Sequence, residues 1–158
     1  GRSAGGTKAV NITEPVWDCQ TGTNSERTVV KFEEETASQR YAIRAYGPGE
    51  VTVSAPEAGG ERVLTESFVI GTGRLVPHWG PRDVDEVAPE HLDPILEQAP
   101  EVVLLGSGAT LRFPPPVIQR ILMVEHAVGM ETMDTAAACR TFNILAGEGR
   151  SVVAALIL

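Results

Sequence analysis

Long apolar runs are absent from this chain of 158 residues. Its longest run, residues 152–158, has the length of a strand, whereas a membrane-spanning helix needs about 20 consecutive apolar residues. The first residues also lack the apolar segment of a signal peptide. We therefore predict no transmembrane segment and a cytoplasmic location.

Cysteine and histidine are scarce. The two cysteines, Cys19 and Cys139, lie far apart, and no pair of cysteines or histidines has the spacing of a metal site. We therefore predict no metal and no cofactor. The sequence leaves a disulfide between the two cysteines open, but a reducing compartment is the simpler interpretation.

Positive charge is also in short supply, with 13 Lys and Arg residues against 21 Asp and Glu residues and a formal net charge of −8. Because phosphate groups require a basic surface, this balance argues against nucleic acid as a partner. It permits a protein partner with a basic patch, although acidity is also a common route to solubility.

The pattern that is present is one folded domain preceded by a polar segment. Residues 1–39 are rich in polar and acidic side chains, and we predict an N-terminal extension that is largely mobile. Residues 40–158 alternate between apolar runs and turn signals, which predicts a single α/β domain. Its first part contains a predicted hairpin, in which a Pro-Gly turn at residues 48–49 joins residues 40–45 to residues 51–53.

The second half of the domain follows the order strand, helix, strand, helix, strand. Apolar runs at residues 102–105, 130–133 and 151–158 predict strands that are buried on both faces. Short connections between such elements imply parallel pairing with right-handed crossovers. The second half therefore predicts a parallel β-α-β-α-β core.

The first of the two helices is predicted to open with the three prolines at residues 114–116 and to end at Gly129, because proline suits a first helical turn and glycine a C-terminal cap. Residues at helical spacing form its predicted apolar face: Val117, Ile121, Val124 and Val128.

The second helix is predicted to start at Asp134 or Thr135, because both residue types cap helices well, and to end at Gly147 and Gly149. Asn143 is predicted to face away from the core. The predicted apolar face consists of Ala138, Phe142 and Leu145.

A pocket is predicted where two loops of the parallel core should meet. In such sheets ligands bind beyond the carboxyl ends of the strands. The loops cover residues 106–113 and 134–140, and each leads into a helix N-terminus, where free N–H groups favour anions. The candidate pocket residues are Gly106, Ser107, Gly108, Arg112, Asp134, Thr135, Cys139 and Arg140.

Each reactive side chain in this predicted pocket also has a structural interpretation. Cys139 could be a nucleophile near a helix N-terminus, but no histidine is placed to activate it, so a buried packing residue is favoured. Asp134 could act as a general base or simply cap the helix. Arg112 and Arg140 could bind an anion or pair with acidic residues of the chain. No catalytic residue is therefore assigned.

Several motifs occur together along the domain. They are YGPG at 46–49, SFVI at 67–70, Pro77 with Trp79, LGSGA at 105–109, RFPPP at 112–116, MDTAAACRTFNILA at 133–146, EGR at 148–150 and AALI at 154–157. In combination they resemble the Mth938-like domain family of bacterial and archaeal proteins, to which a mitochondrial complex I assembly factor is related. The run at 134–150 is the most specific part of the resemblance.

This resemblance implies a three-layer β+α/β/α fold around a mixed central sheet, in which the antiparallel hairpin region precedes the parallel core. It supplies no catalytic residues. It also implies a link to the assembly of respiratory complex I, and a mitochondrial location if the source is eukaryotic.

Two functions are left open, and we favour the first. It is a non-enzymatic interaction or assembly module with an unidentified protein partner, supported by the missing catalytic set and by an apolar patch around Trp79. The second is a small-molecule or anion-binding protein, or an enzyme, that uses the pocket at residues 106–113 and 134–140. Self-association through the hairpin region or Trp79 is also left open.

Overall fold

The computed structural model describes residues 7–18, 23–34, 40–56 and 59–158. Cys19 lies outside these residues, as do other parts of the predicted N-terminal extension. The described parts of that extension form strands β1 (Thr7–Asp18) and β2 (Thr23–Glu34), which pair antiparallel. That residues 1–39 are mobile in solution stays a prediction.

The first sheet is antiparallel throughout. It continues from β2 through strands β3 (Ile43–Gly47), β4 (Glu50–Ala55) and β5 (Gly60–Leu64), in the order β1-β2-β3-β4-β5. The hairpin predicted around residues 48–49 joins β3 to β4, and Gly49 adopts a φ of +72° that a non-glycine residue rarely takes.

The second sheet is mixed and contains the predicted parallel core. Its strands are β6 (Phe68–Gly71), β7 (Leu75–Val76), β8 (Val102–Gly106), β9 (Gly129–Met133) and β10 (Val152–Leu156). Their order is β7-β6-β10-β8-β9, with β8 parallel to both β9 and β10 and β6 antiparallel to β10. The predicted mixed sheet is thereby confirmed.

Helical segments cover both faces of the mixed sheet. Before β8 lie 3₁₀ turns at Val84–Glu86 and Pro89–Leu92 and a short helix α1 (Asp93–Leu96). Helix α2 (Pro116–Arg120) continues into a π-helical turn, Ile121–Glu125, and helix α3 (Thr135–Gly147) connects β9 to β10.

The alternating side chains of β10 contribute to two separate cores. Val153 and Ala155 pack in the core with the 3₁₀ turns, α1 and α2, whereas Ala154 and Leu156 pack in the core with α3 and the first sheet. The arrangement is the predicted three-layer fold, in which the antiparallel sheet and α3 cover one face of the mixed sheet and the remaining helices cover the other.

Helix α3 follows its prediction closely. The Asp134 side chain caps it, because Oδ1 accepts a hydrogen bond from the Ala137 N–H at 2.9 Å. At the other end Gly149 has a φ of +81°, and its N–H donates to the Ala146 carbonyl at 3.0 Å. This left-handed glycine ends the helix in the usual way.

Of the three prolines 114–116 that were predicted to open the first helix, only the last lies in it. A residue that precedes proline is pushed towards an extended backbone, so Pro114 and Pro115 cannot both lie in a helix, and Pro115 has a ψ of 139°. The helix begins at Pro116 instead. Its buried face is centred on Ile118 and Leu122, and Val124 is 75% exposed.

The predicted end of this helix, at Gly129, is also wrong. The wider turn at Ile121–Glu125 rotates the last residues away from the spacing of a regular α-helix, which explains the exposure of Val124. Ala127 then takes the left-handed conformation expected of a glycine, with a φ of +55°. Gly129 is the first residue of β9.

Trp79 belongs to the core and does not form a surface patch. It is 6% exposed, and its indole Nε1 donates to the His91 carbonyl at 2.8 Å. The sequence-based argument that Trp79 offers an apolar surface to a partner or to a second copy is therefore wrong.

Asn143 was expected to face away from the core, but it is buried at 8% exposure. Its side-chain amide pairs with the backbone of Ile43: Nδ2 donates to the Ile43 carbonyl at 2.8 Å, and Oδ1 accepts from the Ile43 N–H at 3.1 Å. The register of β3 with β4 is irregular beside Ile43. Asn143 therefore joins α3 to the first sheet.

Candidate functional site

The two loops predicted to form a pocket do meet at the carboxyl end of the parallel strands. The Ser107 N–H donates to the Met133 carbonyl at 2.8 Å, and the Thr135 N–H donates to the Gly108 carbonyl at 2.9 Å. These bonds join the end of β8 to the end of β9 and the start of α3.

The Thr135 hydroxyl connects three segments. It accepts a hydrogen bond from the Gly108 N–H at 2.9 Å and donates one to the Ile157 carbonyl at 2.7 Å. The loop after β8, the first residue of α3 and the end of β10 are therefore held together by one side chain. Because its donor and an acceptor position are used in this way, Thr135 acts as a structural link.

The backbone N–H groups of the glycine loop are occupied as well. Those of Ser107 and Gly108 bond to Met133 and Thr135, and the Asp134 carboxylate takes the Ala137 N–H at the first turn of α3. A phosphate-binding loop requires such groups to point freely at the ligand. Anion binding by these groups stays a prediction, and the Asp134 carboxylate opposes it electrostatically.

Ser107 organises its own loop. Its hydroxyl donates to the Thr110 carbonyl at 2.7 Å and accepts from the Arg112 N–H at 3.0 Å. The side chain is buried and has these partners inside the chain, so the structure places it beneath the loop and not at its surface.

Arg112 points to a different part of the molecule. Its guanidinium forms ion pairs with Asp83 at 2.7 Å and Asp85 at 2.5 Å, all of them well exposed. The hydrogen bond from Arg112 holds the pKa of the Asp83 carboxyl below its ordinary value. The sequence left two interpretations of Arg112 open, anion binding and pairing with acidic residues of the chain. In the structure Arg112 pairs with acidic residues.

A cavity of about 320 Å³ does lie at the loop junction, and we call it the Tyr46 pocket. Gly108, Asp134 and Thr135 from the predicted set line it, together with Tyr46 and the turn between β3 and β4. Arg140 borders the pocket indirectly, because its Nη1 donates to the Tyr46 hydroxyl at 2.7 Å.

Cys139 lies in the core between α3 and the sheets and has no exposed surface. Burial raises the pKa of its thiol to about 12, more than the neighbouring Arg140 lowers it. A nucleophilic cysteine needs a low pKa and access to solvent. Cys139 therefore has the environment of a packing residue, which is the interpretation favoured from the sequence.

This burial predicts a pH dependence of stability. The folded thiol ionises near pH 12 and the unfolded thiol near 9.0, so its contribution to stability is complete below pH 9 and falls as the pH rises towards 12. Between pH 7 and 10 the wild type should lose roughly 1 kcal/mol more than Cys139→Ala. Chemical unfolding at both pH values measures this difference, and equal losses would contradict it.

The hairpin of β3 and β4 forms one wall of the Tyr46 pocket, and this wall was not predicted from the sequence. Tyr46, Pro48 and Val51 line this wall, and Ala109 lies opposite them in the loop after β8. The Gly-Pro-Gly turn at residues 47–49 was visible as a turn, but nothing local indicates that it packs beside α3. The Arg140–Tyr46 contact joins residues 94 positions apart.

Two further observations describe the rest of the chain. No helix among the described residues is long and apolar enough to cross a membrane. In the same part of the chain, no group of three or more His, Cys, Asp or Glu side chains is arranged to hold a metal ion.

The fold is that of a Mth938-like domain. A Bordetella pertussis protein described by that term superposes with a TM-score of 0.61 at 27% identity, covering 80% of this chain and 91% of the other. The chain belongs to the family described as "Protein of unknown function (DUF498/DUF598)", whose model matches residues 43–157. The resemblance seen in the sequence motifs is confirmed.

Curated relatives carry two kinds of name. The mouse protein "NADH dehydrogenase (ubiquinone) 1 alpha subcomplex assembly factor 3" is 30% identical over 135 residues, covering 84% of this chain and 68% of that protein. A "13 kDa major membrane protein" of Francisella tularensis is 36% identical over 76 residues, covering 48% of this chain and 60% of that protein. The alignment thus spans less than two thirds of the Francisella protein.

Proposed function

We propose that this chain is a non-enzymatic interaction module that takes part in assembling a respiratory NADH dehydrogenase. The observation that carries the proposal is the use of the candidate reactive groups within the fold. Thr135 links three segments, Asp134 caps α3, Ser107 supports its loop and Cys139 is buried with a raised pKa. The name of the mouse relative supports the assembly role.

The Tyr46 pocket is the proposed docking point for a partner side chain. Tyrosine and arginine are over-represented among the residues that contribute most to protein interfaces. Tyr46 lies on the pocket wall, and the 2.7 Å hydrogen bond from Arg140 fixes both side chains before a partner arrives. Such preorganisation lowers the entropy cost of association.

Filling this pocket is expected to abolish the assembly function without unfolding the chain. Ala109 is exposed on the pocket wall, so Ala109→Phe should block entry of a partner side chain. A strain that lacks the protein should contain less assembled NADH dehydrogenase on native gels, and complementation with Ala109→Phe should restore no more than about a tenth of it, as expected for loss of an interface anchor.

Thr110→Phe is the matched control, because Thr110 is the exposed neighbour of Ala109 and does not line the pocket. It should complement like the wild type. A normal level of assembled NADH dehydrogenase in the deletion strain would contradict the assembly proposal. Full complementation by Ala109→Phe would remove only the docking point.

A second candidate function is the binding of a small molecule in the same pocket. Its volume of about 320 Å³ is the observation in favour, because ligand pockets commonly start near 300 Å³. A bound ligand at 100 times its dissociation constant should stabilise the protein by about 2.7 kcal/mol.

A thermal-shift screen with phosphate, sulfate, nucleotides and small carboxylates tests this candidate. Stabilisation that is lost in Arg140→Ala would place the ligand next to the Tyr46–Arg140 pair. If no compound stabilises the wild type, or if Arg140→Ala responds equally, these ligands do not bind at this pocket.

A further inference from the structure

A second cavity, of about 390 Å³, lies between the turn that joins β5 to β6 and the segment that follows β7. It shares Leu158 with the Tyr46 pocket and has otherwise different walls. Ser67 and Glu66 line one side, and His78 and Arg82 line the other. None of these residues belongs to the candidate site described above.

The backbone that carries these side chains is well anchored. The Trp79 N–H donates to the Ser67 carbonyl at 3.0 Å, which holds the two walls together, and the Trp79 indole is buried in the core. Gly80 bends the chain with a φ of +122°, and a Cβ there would lie 3.4 Å from His91 Nε2. Pro81 is buried, and Arg82, which follows it, is exposed.

Two donors at this cavity have no partner in the part of the chain that the structure describes. Ser67 is 7% exposed, and its hydroxyl, which makes no hydrogen bond there, stays accessible to solvent at the cavity wall. The Arg82 guanidinium makes no ion pair with any described carboxylate.

We propose that this cavity binds a carboxylate group. The planar guanidinium of Arg82 matches a carboxylate in bidentate geometry, and the Ser67 hydroxyl supplies a further donor. The Glu66 carboxylate lies 3.3 Å from His78 Nδ1, and no ion pair joins it to Arg82.

The carboxylate can come from a small organic acid or from an acidic peptide, and the two sources are separable. The test is a titration of ¹⁵N-labelled protein with succinate, with an acetyl-capped tetraglutamate peptide and with sodium chloride of equal ionic strength. Both carboxylates should cause saturable shifts of the Ser67, Gly80 and Arg82 amide signals. Sodium chloride and a tetraglutamine peptide should not.

Arg82→Gln should weaken binding by at least about tenfold, and Ser67→Ala by about tenfold, because hydrogen bonds to charged groups are strong. Arg120→Gln is the control: Arg120 is exposed, lies outside the cavity and should leave the affinity unchanged. Unperturbed spectra of each variant before titration establish that it is folded.

The proposal is independent of the assembly function, and the titration decides it. Tighter binding of the peptide than of succinate assigns the site to a partner's acidic segment, whereas equal or weaker binding assigns it to a small acid. No saturable shift near Ser67 and Arg82 with either carboxylate overturns the proposal. An Arg82→Gln variant that binds as tightly as the wild type overturns it as well.

Discussion

Replacing Asn143 with Ala is expected to lower the free energy of unfolding by about 2–4 kcal/mol, because an unsatisfied buried donor or acceptor costs about 1–3 kcal/mol. The substitution removes both hydrogen bonds to Ile43, at 2.8 and 3.1 Å. The Ile43 N–H and carbonyl would then remain buried without these partners. The side chain of Ile43 is itself fully buried, which limits access for water.

Denaturant unfolding monitored by circular dichroism measures this loss. Asn11→Ala is a suitable control, since Asn11 is an exposed asparagine and its replacement should change the free energy of unfolding by no more than about 0.5 kcal/mol. A loss below about 1 kcal/mol for Asn143→Ala would mean that water or a shifted backbone satisfies Ile43 instead.

Replacing Gly106 with Ala should destabilise the protein by about 1–3 kcal/mol, the usual cost of inserting a methyl group into a packed site. A Cβ at Gly106 would lie 2.8 Å from Leu156 Cδ2, 3.0 Å from Thr135 Oγ1 and 3.1 Å from Thr135 Cα. Leu156 can adopt another rotamer, but the Thr135 backbone is the first turn of α3. The new methyl group therefore pushes β8 away from the helix.

The same substitution at Gly147 provides a control of opposite sign. A Cβ at Gly147 meets no atom within 4 Å, and this residue lies in the last turn of α3. Gly147→Ala should therefore stabilise the protein by up to about 1 kcal/mol, because alanine has the higher helix propensity. Melting curves that place both variants on the same side of the wild type would contradict this account of Gly106.

The parts of the fold that sequence reasoning predicts well are those with local signals. The apolar runs of β8, β9 and β10 specify buried strands, and the short connections between them specify parallel pairing. Asp134 and Gly149 mark the start and the end of α3 by capping rules that depend only on neighbouring residues. These predictions needed no knowledge of the distant parts of the chain.

The predictions from the sequence fail where the burial of a residue depends on a contact with a residue far away in the chain. The burial of Trp79 depends on an acceptor 12 residues away, and the role of Asn143 depends on a backbone 100 residues away. The π-helical turn after α2 could not be predicted from the sequence either. Its residues are as apolar as those of a regular α-helix, but the number of residues per turn is larger. Periodicity alone therefore placed Val124 in the core, although it lies at the surface.

In the candidate site, too, some features could be predicted from the sequence and others depend on distant segments of the chain. The meeting of the two loops follows from the topology of parallel strands, and it was predictable. The hydrogen-bond partners of Ser107, Thr135 and Arg112 were not, since each lies in a segment whose approach the loop sequences do not encode. For the same reason, the contribution of the hairpin turn to the pocket emerged only from the fold.

The position of β10 has a consequence for the order in which the chain can fold during synthesis. β10 follows the other described strands in the chain, yet it lies in the middle of the mixed sheet, between β6 and β8. Until the ribosome releases it, the β6–β7 pair and the β8–β9 pair each expose an open strand edge. Without β10 the mixed sheet of a nascent chain therefore consists of two separate strand pairs, and β10 joins them into one sheet.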